Sequence, residues 1–521
     1  MTIPSGRGPA SVVIVGGGIA GLAAAFFLRN RGITVTVLEG SPRLGGKLAV
    51  SEVAGIPVDE GAEALLARRP EGVSLIGDVG LCGQLVEPGT TAASIWTRGQ
   101  LRSLPRRQLM GVPADLGELT RSGILSAAGA ARARQDLRLP ATDREGDVCV
   151  TSYVGARFGQ ELVDRLVDPL LGGVYAGRSD ELSFEATLPG LAAESRRHAA
   201  LSAAADALVP APPAPADGDP AGGDRTEGEP GSVSRPPPVF TTLAGGLGKL
   251  PPVLAAASAA KVRTNAMVRG LARTPGGWRL TIGPARAPEQ LGADAVILAL
   301  PARPAGRLLA EVPAAAAAAT ALAGIPYASM AVVTLAYPAA AFPELPAGSG
   351  YLVPAVDGRA VKAVTFSTVK WPHLLREANR SPAGDALQLV RSSVGRIGEE
   401  AVLQRDDGEL ADLAAGELTA ATGVRGQPIA ARVTRWGGSL PQYNVGHLDR
   451  VARIRAGVAA QPGLAVCGAA YDGIGIPACI ATARLAASQV LAYLETGASG
   501  TAGSSRECGI RAAGIRGHAG G

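Results

Sequence analysis

The sequence predicts an α/β protein, in which a Rossmann-like unit carries a discontinuous second unit of mixed α+β character. Three observations predict this. The β-branched run 12–15 leads into Gly16-Gly17-Gly18-Ile19-Ala20-Gly21, and a stretch of helical composition, 20–30, follows. A second β run, 34–38, ends at Glu39, eighteen positions after Gly21. Much later, 295–300 and 464–467 are apolar strand candidates, and 477–495 reads as a closing helix. A β–Gly turn–α–β start whose further strands return late in the chain describes a parallel sheet built from distant segments.

Each part of the first unit has a physical task. Gly16 permits the tight turn after the strand, Gly18 lets the backbone approach a pyrophosphate, and Gly21 lets the helix pack closely on the strand. The helix start offers free N–H groups and positive dipole to phosphate. Glu39 can accept hydrogen bonds from a ribose diol. At the other end, Pro477 suits the first turn of a helix.

Composition bounds the rest. The chain has 521 residues, 47% hydrophobic and 18% charged, enough for a large core in two or more domains. A net charge of +5 and few aromatics (7 Phe, 4 Trp, 8 Tyr) argue against nucleic-acid binding. Five scattered cysteines without a CxxC pair and four histidines argue against a disulfide framework and against a metal site. No secretory pattern opens the chain, and no run of 18 apolar residues is uninterrupted. The expected setting is cytoplasmic. The stretches 203–235, rich in Pro, Ala and Gly, and 497–521, rich in Gly, Ala and Ser, read as a disordered insert and tail.

The loop Glu39-Gly40-Ser41-Pro42-Arg43-Leu44-Gly45-Gly46-Lys47 resembles the flavin amine oxidase superfamily, as do Val58-Asp59-Glu60-Gly61-Ala62-Glu63-Ala64 and the segment from Gly468 to Ile480. This resemblance implies FAD as cofactor. It assigns the cofactor to Gly16, Gly17, Gly18, Ile19, Ala20, Gly21, Glu39, Gly40, Gly46 and Lys47. It adds Gly61, Ala62, Glu63, Ala64, Val268, Trp436, Gly468, Ile476, Pro477 and Ala478. The closing helix would then face the N1/O2 edge of the flavin ring with its positive end.

Further stretches are similar to the oxygen-dependent porphyrinogen oxidases of haem synthesis, and most to their bacterial coproporphyrinogen III oxidase branch. They are 63–70, Leu104-Pro105 with 110–113, 168–177, 240–247, and Arg435-Trp436 with Leu440-Pro441-Gln442-Tyr443 and Gly446-His447. The family implies hydride transfer from a meso carbon to flavin N5, reoxidation by O₂ and release of hydrogen peroxide. It implies an FAD-binding unit from 1–85, 236–300 and 441–496, and a substrate-binding unit from 86–202 and 301–440. Arg68 and Arg69 are expected at substrate carboxylates, with Tyr175 and Tyr443 as pocket walls.

The stretch 98–138 holds eight arginines against Asp115, Glu118 and Asp136. That excess suits the four propionates of coproporphyrinogen better than the two of protoporphyrinogen. Docking on an anionic inner-membrane surface is its alternative role. His447 and Asp168 read either as polar groups at the substrate or as structural residues, and Cys467 and Cys479 read as packing residues. A protoporphyrinogen oxidase remains open. So do an amine oxidase or carotenoid desaturase-like enzyme, and a non-catalytic binding protein resembling the GDP-dissociation inhibitors.

Overall fold

A computed structural model describes residues 9–142, 146–210, 238–380 and 386–503, with side chains to 496. Ser11–Val15 is the centre of a five-stranded parallel sheet. It pairs with Thr34–Leu38 on one side and Ala295–Leu298 on the other; Lys261–Arg263 and Leu464–Val466 form the edges. Residues 12–15 and all of Ala295–Leu298 are buried, as the inner strands of a parallel sheet covered on both faces must be.

One face is covered by Ile19–Leu28, Leu250–Ser258 and the closing helix Ile476–Gly503, which share a core of Val12, Ile14, Leu22, Leu254, Ile480 and Val490. Ile19–Leu28 is apolar almost all round, and eight of its ten residues are buried. The segment Ile476–Thr496 is long and apolar enough to cross a membrane, yet here it packs into this core. The opposite face packs against the antiparallel strands Val268–Thr274, Gly277–Ile282 and Glu289–Ala293 and the helix His447–Ala459.

A seven-stranded sheet forms the second unit. Its order is Ala430–Pro441, Tyr327–Pro338, Leu387–Val394, Val361–Phe366, Gly350–Leu352, Ser94–Thr97, Gln100–Ser103. Only the pairing of Gly350–Leu352 with Ser94–Thr97 is parallel. The helix Asp407–Thr422 covers one face of it. Asp406 and Glu409 start that helix with a reciprocal capping box. A helical lobe between 116 and 206 has its own core, with Leu166, Leu171, Phe158 and Tyr443.

Three expected boundaries move. The helices Ala302–Ala310 and Ala316–Ala323 are expected in the substrate unit, but they bury Ala305, Leu309, Ala318 and Leu322 against Val13, Val296 and Leu298 of the parallel sheet. Leu271 and Leu280 of the antiparallel strands share that core. The insert does not start at 203: Leu201–Asp206 is a helix with Ala204 and Ala205 buried in the lobe core. Nor does the tail start at 497, because the closing helix runs to Gly503. The remainder of both segments, 211–235 and 504–521, lies outside the described residues.

Candidate active site

The glycines after the first strand behave as the turn chemistry requires. Gly16 has φ +110°, and a methyl there would strike the Ala299 carbonyl. A methyl on Gly21 would stand 1.9 Å from Gly16 O, so helix and turn are in direct contact. Around a methyl on Gly18, by contrast, there is nothing within 4 Å. Ile19 and Ala20 open the helix, whose first N–H groups lack intrahelical partners. Glu39 Oε2 accepts from Gly17 N at 2.7 Å and Oε1 from Ser41 N at 2.8 Å, and each oxygen keeps a further lone pair for a diol.

The two ends of the chain meet here. Gly18 bridges to Gly45, and Gly46 faces Gly18 at van der Waals distance. A methyl on Gly468 would lie 3.9 Å from the Ala20 methyl. Gly40 is covered by the Met267 side chain, next to Val268 at the start of its strand. Burial pushes the Lys47 amine below its ordinary range, with Cys479 at the start of the closing helix opposing that shift. Among the described residues no carboxylate pairs with Lys47. An open volume beyond Gly18, a helix start and a half-buried unpaired cation together fit the pyrophosphate of FAD. Bound there, FAD would be held by these groups, with the first turn of Ile476, Pro477 and Ala478 offering positive dipole to the ring.

The 59–64 loop is braced from the second unit. Ala62 N donates to Lys47 O at 3.1 Å, and a methyl on Gly61 would collide with that same carbonyl at 2.1 Å. Trp436 donates its indole N–H to Glu60 O at 2.8 Å and lies against Gly61. Arg391 donates to Gly61 O and pairs with Glu63 at 3.1 Å; Lys370 pairs with Glu63 at 2.6 Å. Glu63 is expected in the cofactor loop; its carboxylate pairs with two cations and fixes that loop. Ala64 packs behind the loop against the second unit's core.

Burial alone would raise the Glu63 carboxyl, but the charges of Lys370 and Arg391 outweigh it and hold it at about 2, against 4.5 ordinarily. Its folded pKa lies below its unfolded one. The contribution is complete above about 4.5 and is lost as the pH falls toward 2. Acid denaturation followed by circular dichroism should show a loss of stability in that window that Glu63→Gln lacks. Identical acid profiles would remove the ion pairs from the account.

The expected substrate residues fare unevenly. Arg68 is exposed beside the strand pair Leu65–Leu66 and Phe240–Leu243, whereas Arg69 pairs with Glu71 at 2.6 Å. Tyr175 is buried, with burial pushing its phenol up to about 12, and its ring packs on Tyr443 at 5.7 Å. Tyr443 is 1% exposed, and its hydroxyl donates to Ala469 O at 2.7 Å and accepts from Gly473 N at 2.8 Å. Its hydroxyl thus clasps the 468–475 loop. His447 stacks on the Tyr443 ring at 3.8 Å with Nε2 3.2 Å from Tyr471 O, and Asp168 accepts from Ser179 N and Oγ. Both are structural. Burial raises the Cys467 and Cys479 thiols, so neither is a thiolate at neutral pH.

Part of the arginine excess of 98–138 is engaged within the protein. Arg98 pairs with Glu161 and Arg107 with Asp206; Arg132 donates to Arg157 O and Ala156 O, Arg134 to Thr120, and Arg102 to Gln100. Their number therefore carries no argument about how many substrate carboxylates are bound. Sequence reasoning misses Arg391 and Lys370. An arginine as the one charged residue of the strand Leu387–Val394 is the available signal, because a charge there needs a partner.

Comparison with known proteins adds the following. The profile of the flavin containing amine oxidoreductase family matches residues 19–491. The chain is 36% identical over 497 residues to the coproporphyrinogen III oxidase of Mycobacterium tuberculosis (strain ATCC 25618 / H37Rv), covering 94% of this chain and 98% of that one. It is 31% identical to the coproporphyrinogen III oxidase of Bacillus subtilis (strain 168), covering 94% and 99%. It is also 29% identical to the protoporphyrinogen oxidase of Macaca fascicularis, covering 92% and 98%. Among solved structures, the cyclohexylamine oxidase of Brevibacterium oxydans IH-35A superimposes with a TM-score of 0.63 at 17% identity, covering 94% and 100%, a likeness of fold.

Proposed function

Given that the chain belongs to the flavin containing amine oxidoreductase family, we propose that it is an FAD-dependent oxidase that converts coproporphyrinogen III to coproporphyrin III in haem biosynthesis, with O₂ as electron acceptor and hydrogen peroxide as product. One observation carries this reading. Similarity to coproporphyrinogen III oxidases runs over both units, through the cofactor cradle and the helical lobe alike, at up to 36% identity. FAD, when bound, supplies the hydride acceptor and the route of electrons to oxygen. The chain's residues supply the rest. Gly16–Gly21, Glu39 and Lys47 hold the nucleotide end. The Tyr443 hydroxyl fixes the 468–475 loop, and Arg391, Lys370 and Trp436 fix the 59–64 loop, so that both backbone segments meet the ring already in place. Arg68, exposed and without a carboxylate partner among the described residues, is our candidate for a substrate propionate.

We place the protein in the cytoplasm, in keeping with free thiols at Cys82, Cys149, Cys467 and Cys479. Contact with the inner membrane surface remains a secondary proposal; among the described residues Arg98 and Arg107 of the 98–138 stretch are ion-paired. The test offers the two porphyrinogens side by side to the yellow holoprotein and follows porphyrin fluorescence with oxygen uptake. Coproporphyrinogen III is expected to be consumed with formation of peroxide. Turnover of protoporphyrinogen IX alone would overturn the substrate assignment, and porphyrin formation without oxygen uptake would overturn the acceptor.

A further inference from the structure

Behind the 59–64 loop lies a cavity of about 20 Å³ at the seam between the two units. Four side-chain atoms of its lining residues are buried without a hydrogen-bond partner in the protein: Asp59 Oδ1, Thr242 Oγ1, Trp371 Nε1 and His373 Nδ1. They come from four separate positions of the chain, two on each side of the seam. Buried polar groups in folded proteins are nearly always paired, so four orphans around one void need a common explanation.

Their chemistry specifies the occupant. The indole N–H of Trp371 only donates and the Thr242 hydroxyl does either; burial raises the Asp59 carboxyl to about 7, so its oxygen accepts when ionised and can donate when protonated. Burial, and after it the charges of Arg376 and Lys249, push the His373 imidazole down to about 4, so it is neutral near pH 7 and one ring nitrogen accepts. With Thr242 donating and Asp59 ionised, the four groups are two donors and two acceptors, the complement of one tetrahedral water; with Asp59 protonated, Thr242 accepts and the balance is kept. A metal ion would meet the Trp371 and Arg391 N–H groups, and an anion would meet the carboxylates of Asp59 and Glu63. The volume suffices, since a water needs about 10–15 Å³ of such space.

We propose that this cavity is a built site for an ordered water, bound by Asp59, Thr242, Trp371 and His373, that completes the polar joint holding the 59–64 loop to the second unit. Arg391 lines the cavity and also donates to Gly61 O, so the joint reaches the loop's backbone directly. Asp59 is tied on its other side, accepting from Leu247 N at 3.2 Å. Asp59, Thr242 and His373 are thus positioning residues for the loop. That role rests on the reading that the loop touches FAD; the water site itself does not.

The test has two arms. A crystal structure of the holoprotein that resolves ordered solvent should show a peak within hydrogen-bond distance of Asp59 Oδ1 and of at least two of the other three atoms. A cavity without density, a direct Asp59–His373 contact that closes it, or density with the anomalous signal of a metal would overturn the site. In the second arm, Thr242→Val, nearly isosteric, removes one partner of the water and should raise the rate of FAD release about tenfold, as expected for one buried group left unpaired. A solvent peak together with wild-type release rates for both Thr242→Val and Asp59→Asn would overturn the positioning role. If the wild-type protein took up no FAD and a crystal structure of that FAD-free protein showed the peak, the flavin reading would fail and the water site would stand.

Discussion

Gly18→Ala should give a protein that folds as the wild type does and binds FAD at least roughly tenfold more weakly, whereas Gly21→Ala should damage both fold and cofactor binding. The two glycines sit three residues apart in one motif, and the structure gives them opposite surroundings. Gly18 has an extended backbone that alanine adopts freely, and an added methyl meets no protein atom within 4 Å. The only thing it can obstruct is what the cleft receives. An added methyl on Gly21 falls 1.9 Å from the Gly16 carbonyl oxygen and 3.3 Å from the Ala299 side chain. Backbone cannot move aside as a flexible side chain can, so the helix must shift off the strand, at a cost of about 1–3 kcal/mol or more. Thermal denaturation of the apoproteins and titration with FAD separate the two effects. A Gly18→Ala protein with unaltered FAD affinity would mean that no phosphate approaches Gly18, and the cofactor placement would have to be abandoned.

The same contrast shows what the sequence can and cannot reveal. The cradle is legible because its chemistry is local. A turn that needs φ near +110° at Gly16, a close approach at Gly21 and an acid at the end of the next strand are fixed by residues within one stretch of chain. The closing helix is legible because its apolar face is continuous. What stays hidden depends on partners far apart in sequence. Glu63 can be placed in a cofactor loop, but not its pairing with Lys370 and Arg391, more than 300 positions away. Tyr443 reads as a pocket wall because an aromatic beside a motif resembles one; only the fold shows its hydroxyl between Ala469 and Gly473. The helices at 302–323 fall to the wrong unit for a related reason. Sequence shows that a helix has an apolar face, not which sheet that face will cover.

The arginine-rich stretch gives the second large effect, because one of its few acids is a structural centre. Asp136 is fully buried and paired at 2.6 Å with Arg157, itself 2% exposed. Its oxygens also accept from Leu201 N at 3.1 Å, Ser202 N at 2.9 Å and Ser202 Oγ at 2.7 Å. Arg157 in turn donates to Pro140 O, Asp136 O and Ala199 O. Every strong donor and acceptor of the pair is thus used, and three segments of the helical lobe are tied at one point. Asp136→Ala would leave a buried guanidinium without its counter-charge and three further donors unpaired. A loss of about 3–5 kcal/mol is expected, measured by urea denaturation. Replacing both partners with leucine should recover part of this, since no unpaired charge remains, but not all, because the 201 and 202 N–H groups stay unsatisfied. If Asp136→Ala cost less than about 1 kcal/mol, the pair would have to be solvated, as exposed pairs are, and the lobe would be held by its apolar core alone.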